Sequence, residues 1–279
     1  MRHRAAVLLP LLFVVALFVP GAISAIAITV GILLTAVVVH EFGHLVVARL
    51  LGVRVTAFSI GFGPLLAHRT YRGVDWQLRL LPLGGFTAMH GEAVGSSTDS
   101  DSFTMAGRPR RAAILIAGIL TNILVGAGIL YFTVLVAIGF HFEQAGAASL
   151  QIAGMIFGET VGIIAAWLPH AASAPLDFPL VGVPGMAWSM SAIVAEGPVM
   201  VGLAAAIINI SVGIMNLLPI PPTDGGHLML DVLSDPQRGP TRVRRVGGMV
   251  GTVALVILAV GVTGLDIIRI ALNHLPGMS

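Results

Sequence analysis

Apolar residues in this chain come in long uninterrupted runs, broken by short polar stretches, and not at the three-and-four spacing of a half-buried helix. The runs are Ala5 to Val19, ended by Pro20-Gly21; Ala22 to Leu51; Ala112 to Phe140; Leu150 to Leu168, with Glu159 inside it; Ala192 to about Leu218; and Val246 to Ile270. About 20 apolar residues carry a helix across the hydrocarbon layer of a bilayer. The pattern predicts five crossings, at 5–20, 22–50, 112–140, 192–218 and 246–270. The run 150–168 is expected to be a re-entrant or surface helix, with Pro169, Pro175, Pro179 and Pro184 breaking the chain after it. The alternative is that it crosses as a pair with part of 178–195. Between residues 53 and 90 the pattern changes. β-Branched and aromatic residues punctuated by glycine predict short strands, with turns at Gly61–Pro64, Tyr71–Gly73 and Leu83–Gly85. Residues 91–103 read as a polar loop. The fold class is an all-α polytopic membrane protein, a bundle of about five transmembrane helices with a small β-hairpin or sheet on its cytoplasmic side.

Composition agrees with that picture. Hydrophobic residues make up 56% of the chain and charged residues 10%, against about 25% charged in soluble domains. Mean hydropathy is +0.96. Residues 1–21 form an N-terminal transmembrane helix or a signal-like segment, with a basic head, an apolar core and small residues after Pro-Gly. The remainder, 22–279, is one domain. Cysteine is absent, which excludes disulfides and thiolate metal sites, so any metal is held by His, Asp or Glu. The formal charge of +2 gives no reason to expect nucleic acid. All 15 basic residues are arginines, and 14 of them precede the first run, lie between the second and third, or precede the last. Cytoplasmic loops are enriched in such residues. All three regions therefore belong in the cytoplasm of a multi-pass inner (plasma) membrane protein.

Within the second run stands "HEFGH". His40 and His44 are four residues apart, on one face of a helix and within reach of one metal ion; Glu41 is placed beside them to handle a water. The plain alternative is a pair of polar residues packed at the cytoplasmic end of a span. An ionisable residue at the centre of a transmembrane helix costs about 2.5–3.5 kcal/mol on insertion scales, so a cluster of three argues for a role. A catalytic zinc takes three protein ligands and one water. Asp224, in "NLLPIPPTDGGHLMLD", is the candidate third ligand, although an Asp after a proline turn also suits a helix N-cap. His227 is a weaker candidate. Pro219, Pro221 and Pro222 break the helix there and Gly225-Gly226 lets the backbone turn. The arginine orientation puts both elements near the cytoplasmic face.

"HEFGH", then "GFGP", "LPLGGF", "AGILTN" and "NLLPIPPTDGG", in that order over roughly residues 25 to 235, resemble the site-2 protease family of intramembrane zinc metalloproteases, most closely its bacterial branch. The resemblance implies one Zn2+ per chain held by His40, His44 and Asp224, with Glu41 as the base. It implies a substrate-binding role for Asn216, Gly61, Gly63, Pro219, Pro221 and Gly225, the substrate adding as a strand to the region 55–89. Proline at Ile60 or Leu78 is then expected to disturb that edge. The implied partners are the lipid bilayer and a transmembrane protein substrate, such as an anti-sigma factor trimmed first by another protease. The implied activity is hydrolysis of peptide bonds within or next to transmembrane segments. Two other readings stay open: an inactive relative that binds membrane proteins, and a metal transporter. The sequence departs from the family at Thr223, where Leu is common, and at Ile119, where Pro is common. Only residues 141–150 occupy the place where close relatives carry PDZ domains.

Overall fold

The computed structural model describes residues 22–92, 99–170, 181–233 and 242–272. The expectations for the span at 5–20 and the segment 1–21, and for most of the polar loop after Glu92, lie outside the described residues. The described residues form seven helices and two strands, in the order α1 (Ala22–Leu50), β1 (Val55–Tyr71), β2 (Val74–Met89), α2 (Arg108–Ala137), α3 (Phe142–His170), α4 (Val183–Ala195), α5 (Pro198–Met215), α6 (Asp224–Leu233) and α7 (Arg242–Ala271).

Five helices are long and apolar enough to cross a membrane: Ile23–Leu50, Arg108–Ala137, Phe142–Ala166, Pro198–Met215 and Val246–Ile270. The chain is a multi-pass membrane protein. Many large apolar side chains on these helices face outward, among them Leu124, Phe132, Leu150 and Ile257, as expected of a molecule whose solvent is lipid. The run expected at 150–168 belongs to a longer helix that starts at Phe142. Its first turn carries Glu143, which suits the positive end of a helix dipole but hides that turn from a search for apolar runs. Helix α4, at 13 residues, is about 20 Å long, short of the roughly 30 Å hydrocarbon layer.

The chain divides into two compact units. One contains residues up to Ile32, Gly126–Ser211 and Ala254 onward; the other contains Leu33–Val125 and Val212–Val253. In the first, Ala25, Ile28 and Ile32 of α1 form a core with Met190 of α4 and Ala204 of α5. Small residues allow helices to approach there: a Cβ on Gly126 would stand 2.7 Å from a side-chain carbon of Ile210. Asp266 of α7 is buried, and its Oδ2 accepts hydrogen bonds from the backbone N–H groups of Gly182 (2.7 Å) and Gly185 (3.0 Å) at the start of α4. It thereby satisfies donors that a helix N-terminus leaves unpaired.

The second unit holds the sheet. Hairpin formation at Arg72-Gly73, both at positive φ, pairs Tyr71 with Val74 and Ala67 with Leu78. The other two expected turns are register shifts inside the long strands. Phe62 pairs with Leu81, yet Ile60 pairs with both Gly85 and Leu78. Residues 57–60 therefore have neighbours on both sides: 85–88 on one, 75–78 on the other. Gly61 and Gly63, at φ +87 and +79, supply the backbone conformation this needs, and a Cβ on Gly61 would press on the Leu81 carbonyl. Ile60 and Leu78 are thus interior to the sheet. The segment 85–89 is paired on one side only among the described residues. One apolar core fastens the sheet to two helices, joining Leu45 and Ala48 of α1, Val55, Phe58, Val74 and Met89 of the strands, and Ile114 and Leu115 of α2.

Candidate metal centre

His40 and His44 lie one turn apart on α1, both buried. Their rings meet edge to face with centroids 4.7 Å apart, and their Nε2 atoms are 3.1 Å apart. Asp224 brings its Oδ2 to 2.8 Å from His40 Nε2 and 3.3 Å from His44 Nε2. The three donor atoms lie within 4.8 Å of one another. Two imidazole lone pairs and a carboxylate oxygen repel at such distances unless a cation or a proton lies between them. The donor set, two nitrogens and one oxygen converging in a buried place, fits a tetrahedral metal ion with one open position.

The backbone around Asp224 explains how its carboxylate is free to turn inward. The Oγ1 of Thr223 accepts a hydrogen bond from the Gly226 N–H at 3.2 Å, so Thr223, not Asp224, caps α6. This gives the departure at Thr223 a function. The preceding loop is tightly folded. Gly225 donates to the Asn216 carbonyl at 2.8 Å, and a Cβ on Gly225 would collide with the backbone of Leu217. A Cβ on Gly226 or Gly251 would collide with Pro221.

Helix α2 supplies contacts that the sequence did not reveal. The Nδ1 of His44 is 2.8 Å from the Ile114 carbonyl. A carbonyl only accepts, so Nδ1 carries the hydrogen and Nε2 is left with its lone pair toward Asp224. Gly118 lies against both imidazoles: a Cβ there would overlap His44 Nε2 and stand 2.9 Å from His40 Cε1. Asn122, fully buried, places Nδ2 3.5 Å from His40 Nδ1, while its Oδ1 has no hydrogen-bond partner among the described residues. Gly43 permits this close approach, since a Cβ on it would overlap Thr121 and press on the Ala117 carbonyl. Ile114, Gly118 and Asn122 are spaced i, i+4, i+8, one stripe of a helix. That spacing was visible in the sequence, but nothing marked it as facing a metal.

Of the other residues singled out from sequence, Glu41 is half-buried beside the sheet. Its carbonyl accepts from Thr87 Oγ1 at 2.9 Å, and a Cβ on Gly85 would stand 3.3 Å from its Cγ. The one-sided strand segment therefore runs past Glu41. Asn216 donates its amide to the Val212 carbonyl at 3.0 Å. Gly61 and Gly63 shape the sheet, Pro221 and Gly225 pack the loop, and Pro219 is exposed. Gly225 also shares with Asp224 the wall of an open cleft of about 330 Å³. His227 is not in the group with His40, His44 and Asp224.

A family model described as peptidase family M50 matches residues 28–258. Among curated relatives, a membrane metalloprotease named ARASP from Arabidopsis thaliana chloroplasts is 34% identical over 128 residues, 45% of this chain and 28% of that protein. The protease RseP of Yersinia pestis is 45% identical over 107 residues, 37% of this chain and 23% of that protein. The regulator of sigma-E protease RseP of Salmonella typhimurium is 43% identical over 104 residues, 36% of this chain and 22% of that protein. The matched part is less than a third of each of these relatives. The family match covers most of the chain and includes His40, Glu41, His44 and Asp224: the protein belongs to peptidase family M50, the site-2 protease family.

Proposed function

We propose that this protein is an intramembrane zinc metalloprotease that hydrolyses peptide bonds within or next to transmembrane segments of other membrane proteins. The observation that carries the reading is the convergence of His40, His44 and Asp224 on a point lined by Gly118, with Glu41 next to it. His40 and His44 through Nε2, and Asp224 through Oδ2, would hold one Zn2+. When bound, zinc polarises a carbonyl and makes water acidic enough to attack at neutral pH. Asn122 fits this state when its amide turns Oδ1 toward His40. A ring whose Nε2 lone pair faces a metal carries its hydrogen on Nδ1, and the unpartnered Oδ1 is the group that accepts it.

Glu41 acts as general base. It takes a proton from the attacking water and returns it to the leaving amine. The substrate backbone must be extended to reach it, because a helix hides its carbonyls in hydrogen bonds. The segment at Gly85–Met89, unpaired on its outer side among the described residues and running past Glu41, offers a strand edge for that purpose. Gly61 and Gly63 shape the sheet that carries this edge, and Asn216, Pro219, Pro221 and Gly225, in and before the loop that leads to Asp224, are the further residues assigned to substrate binding. The arginine distribution supports a site near the cytoplasmic face of the inner membrane. The substrates are transmembrane proteins, with anti-sigma factors as a candidate class because a relative carries the name regulator of sigma-E protease RseP.

The test is cleavage of a single-span substrate by purified protein in bilayers. The wild type cleaves, Glu41→Gln retains zinc and does not cleave, and chelation abolishes cleavage reversibly. Wild-type protein that holds zinc and moves it across proteoliposomes, without cleaving any spanning peptide, contradicts the reading.

A further inference from the structure

A buried ion pair lies in the same unit as the metal centre. Arg111, in the first turn of α2, is fully buried, and its Nε donates to Asp231 Oδ2 at 2.7 Å. Its Nη1 donates to the carbonyls of Thr104 (3.3 Å) and Ala106, and its Nη2 has no hydrogen-bond partner among the described residues. Asp231 is buried in α6.

Position along the two helices gives this pair its meaning. Arg111, Ile114, Gly118 and Asn122 are spaced by three, four and four residues, so they form one stripe on α2. Ile114, Gly118 and Asn122 touch the two histidines. On α6, Asp224 and Asp231 are seven residues apart and share a face. The two stripes therefore meet twice: at the metal centre, and about two turns away at Arg111 and Asp231. Beside that line the packing is incomplete. Leu115, Ile116 and Ile119 of α2 and Leu228, Met229 and Val232 of α6 line the open cleft of about 330 Å³. Apolar contacts that leave a cleft are a weak constraint on sliding, whereas an arginine held by a carboxylate and two carbonyls has one fixed position. A slip of α6 by one turn would carry Asp224 by about 5.4 Å, while a zinc–carboxylate bond is about 2.0–2.2 Å.

We propose that Arg111 and Asp231 are positioning residues, whose ion pair fixes the register of α6 against α2 and so delivers Asp224 to His40 and His44. The inference rests on the proposed ligand set. It assigns no contact with substrate to either residue.

The test uses the full chain in detergent and the metal alone, with Zn2+ affinity read by chelator competition and Co2+ as a spectroscopic probe of ligand geometry. Asp231→Asn keeps shape and removes the charge. Arg111→Met with Asp231→Leu replaces the pair by apolar side chains, a change that often leaves a fold as stable as before. The metal-free double variant is expected to melt as the wild type does. In both variants Zn2+ binding is expected to weaken by roughly 10- to 100-fold, as for loss of an outer-shell partner, with changed visible bands of bound Co2+. Arg111→Lys, which keeps the charge but not the fork, is expected to fall between. Wild-type affinity and Co2+ bands in a folded double variant overturn the proposal. So does failure of all three variants to fold, since the pair is then a requirement of the whole structure. Asp224→Ala is measured alongside. If it binds Zn2+ as the wild type does, the ligand assignment has failed. If it is defective while the pair variants are normal, only the positioning role is lost.

Discussion

Gly118→Ala adds one carbon to the chain at the point where α2 meets both histidines. That Cβ would overlap His44 Nε2 and stand 2.7 Å from His44 Cε1 and 2.9 Å from His40 Cε1. Unstrained carbon contacts lie at about 3.5–4.0 Å, so both rings must retreat by roughly 1 Å or the helices must part. Metal–ligand distances tolerate only about 0.2 Å. Zinc affinity should therefore fall at least as far as for loss of an outer-shell partner, by about 100-fold or more, and proteolysis should fall with it. Overpacking costs about 1–3 kcal/mol, which lowers the melting temperature of the metal-free protein without unfolding it at room temperature. The assay is Zn2+ competition with a chelator, with circular dichroism to establish fold. Gly128→Ala is the control: it lies on the same helix with nothing within 4 Å of the added carbon, and helix propensity alone makes it neutral or stabilising by about 1 kcal/mol. Wild-type zinc affinity in folded Gly118→Ala would show that the metal does not sit between these rings.

Asn122→Leu should weaken Zn2+ binding by roughly 10- to 100-fold, and Asn122→Asp, which also accepts from His40 Nδ1, should restore most of it; equal affinity for all three forms contradicts the orienting role. A substrate span with glycine near its cytoplasmic end should be cleaved faster than an all-leucine one, since glycine lowers helix propensity by about 1 kcal/mol; equal rates in bilayers contradict the need to unwind. Ile60→Pro should lower the melting temperature and abolish the sheet, because Ile60 is paired on both sides; a normally folded variant contradicts the register. Reporter fusions after Arg79 and Arg242 should both signal cytoplasmic; opposite signals break the arginine scheme and make α3 an independent crossing.

The proposed catalytic motif was legible because its chemistry is local. His40, Glu41 and His44 sit within five residues, and the cost of burying them in a span singled them out. The placement of Asp224 beside the two histidines was expected by subtraction, since a three-ligand site needs one more ligand than two histidines and no cysteine could supply it. Its competing use as a cap was settled only by Thr223, whose hydroxyl takes the Gly226 N–H. Gly118, Asn122, Arg111 and Asp231 were not legible as parts of a site. Each acts by proximity across helices separated by dozens of residues, and a glycine that matters for what it lacks leaves no chemical mark. The apolar runs marked α1, α2, α5 and α7, but the run at 150–168, expected to be a re-entrant or surface helix, belongs to a membrane-length helix that begins at Phe142, and the run from Ala192 is interrupted between α4 and α5. The two-sided pairing of residues 57–60 depends on register shifts that alternation cannot show.

The ligand set is tested most directly by zinc-edge X-ray absorption of the purified wild type and Asp224→Ala, each reconstituted with one equivalent of Zn2+. Two imidazole nitrogens at about 2.0–2.1 Å and a carboxylate oxygen at about 2.0–2.2 Å are expected in the wild type, with the imidazoles kept and the carboxylate lost in Asp224→Ala, whose zinc is also released to a weak chelator. A wild-type spectrum with fewer than two imidazoles, or an Asp224→Ala spectrum and affinity identical to the wild type, would contradict that ligand set.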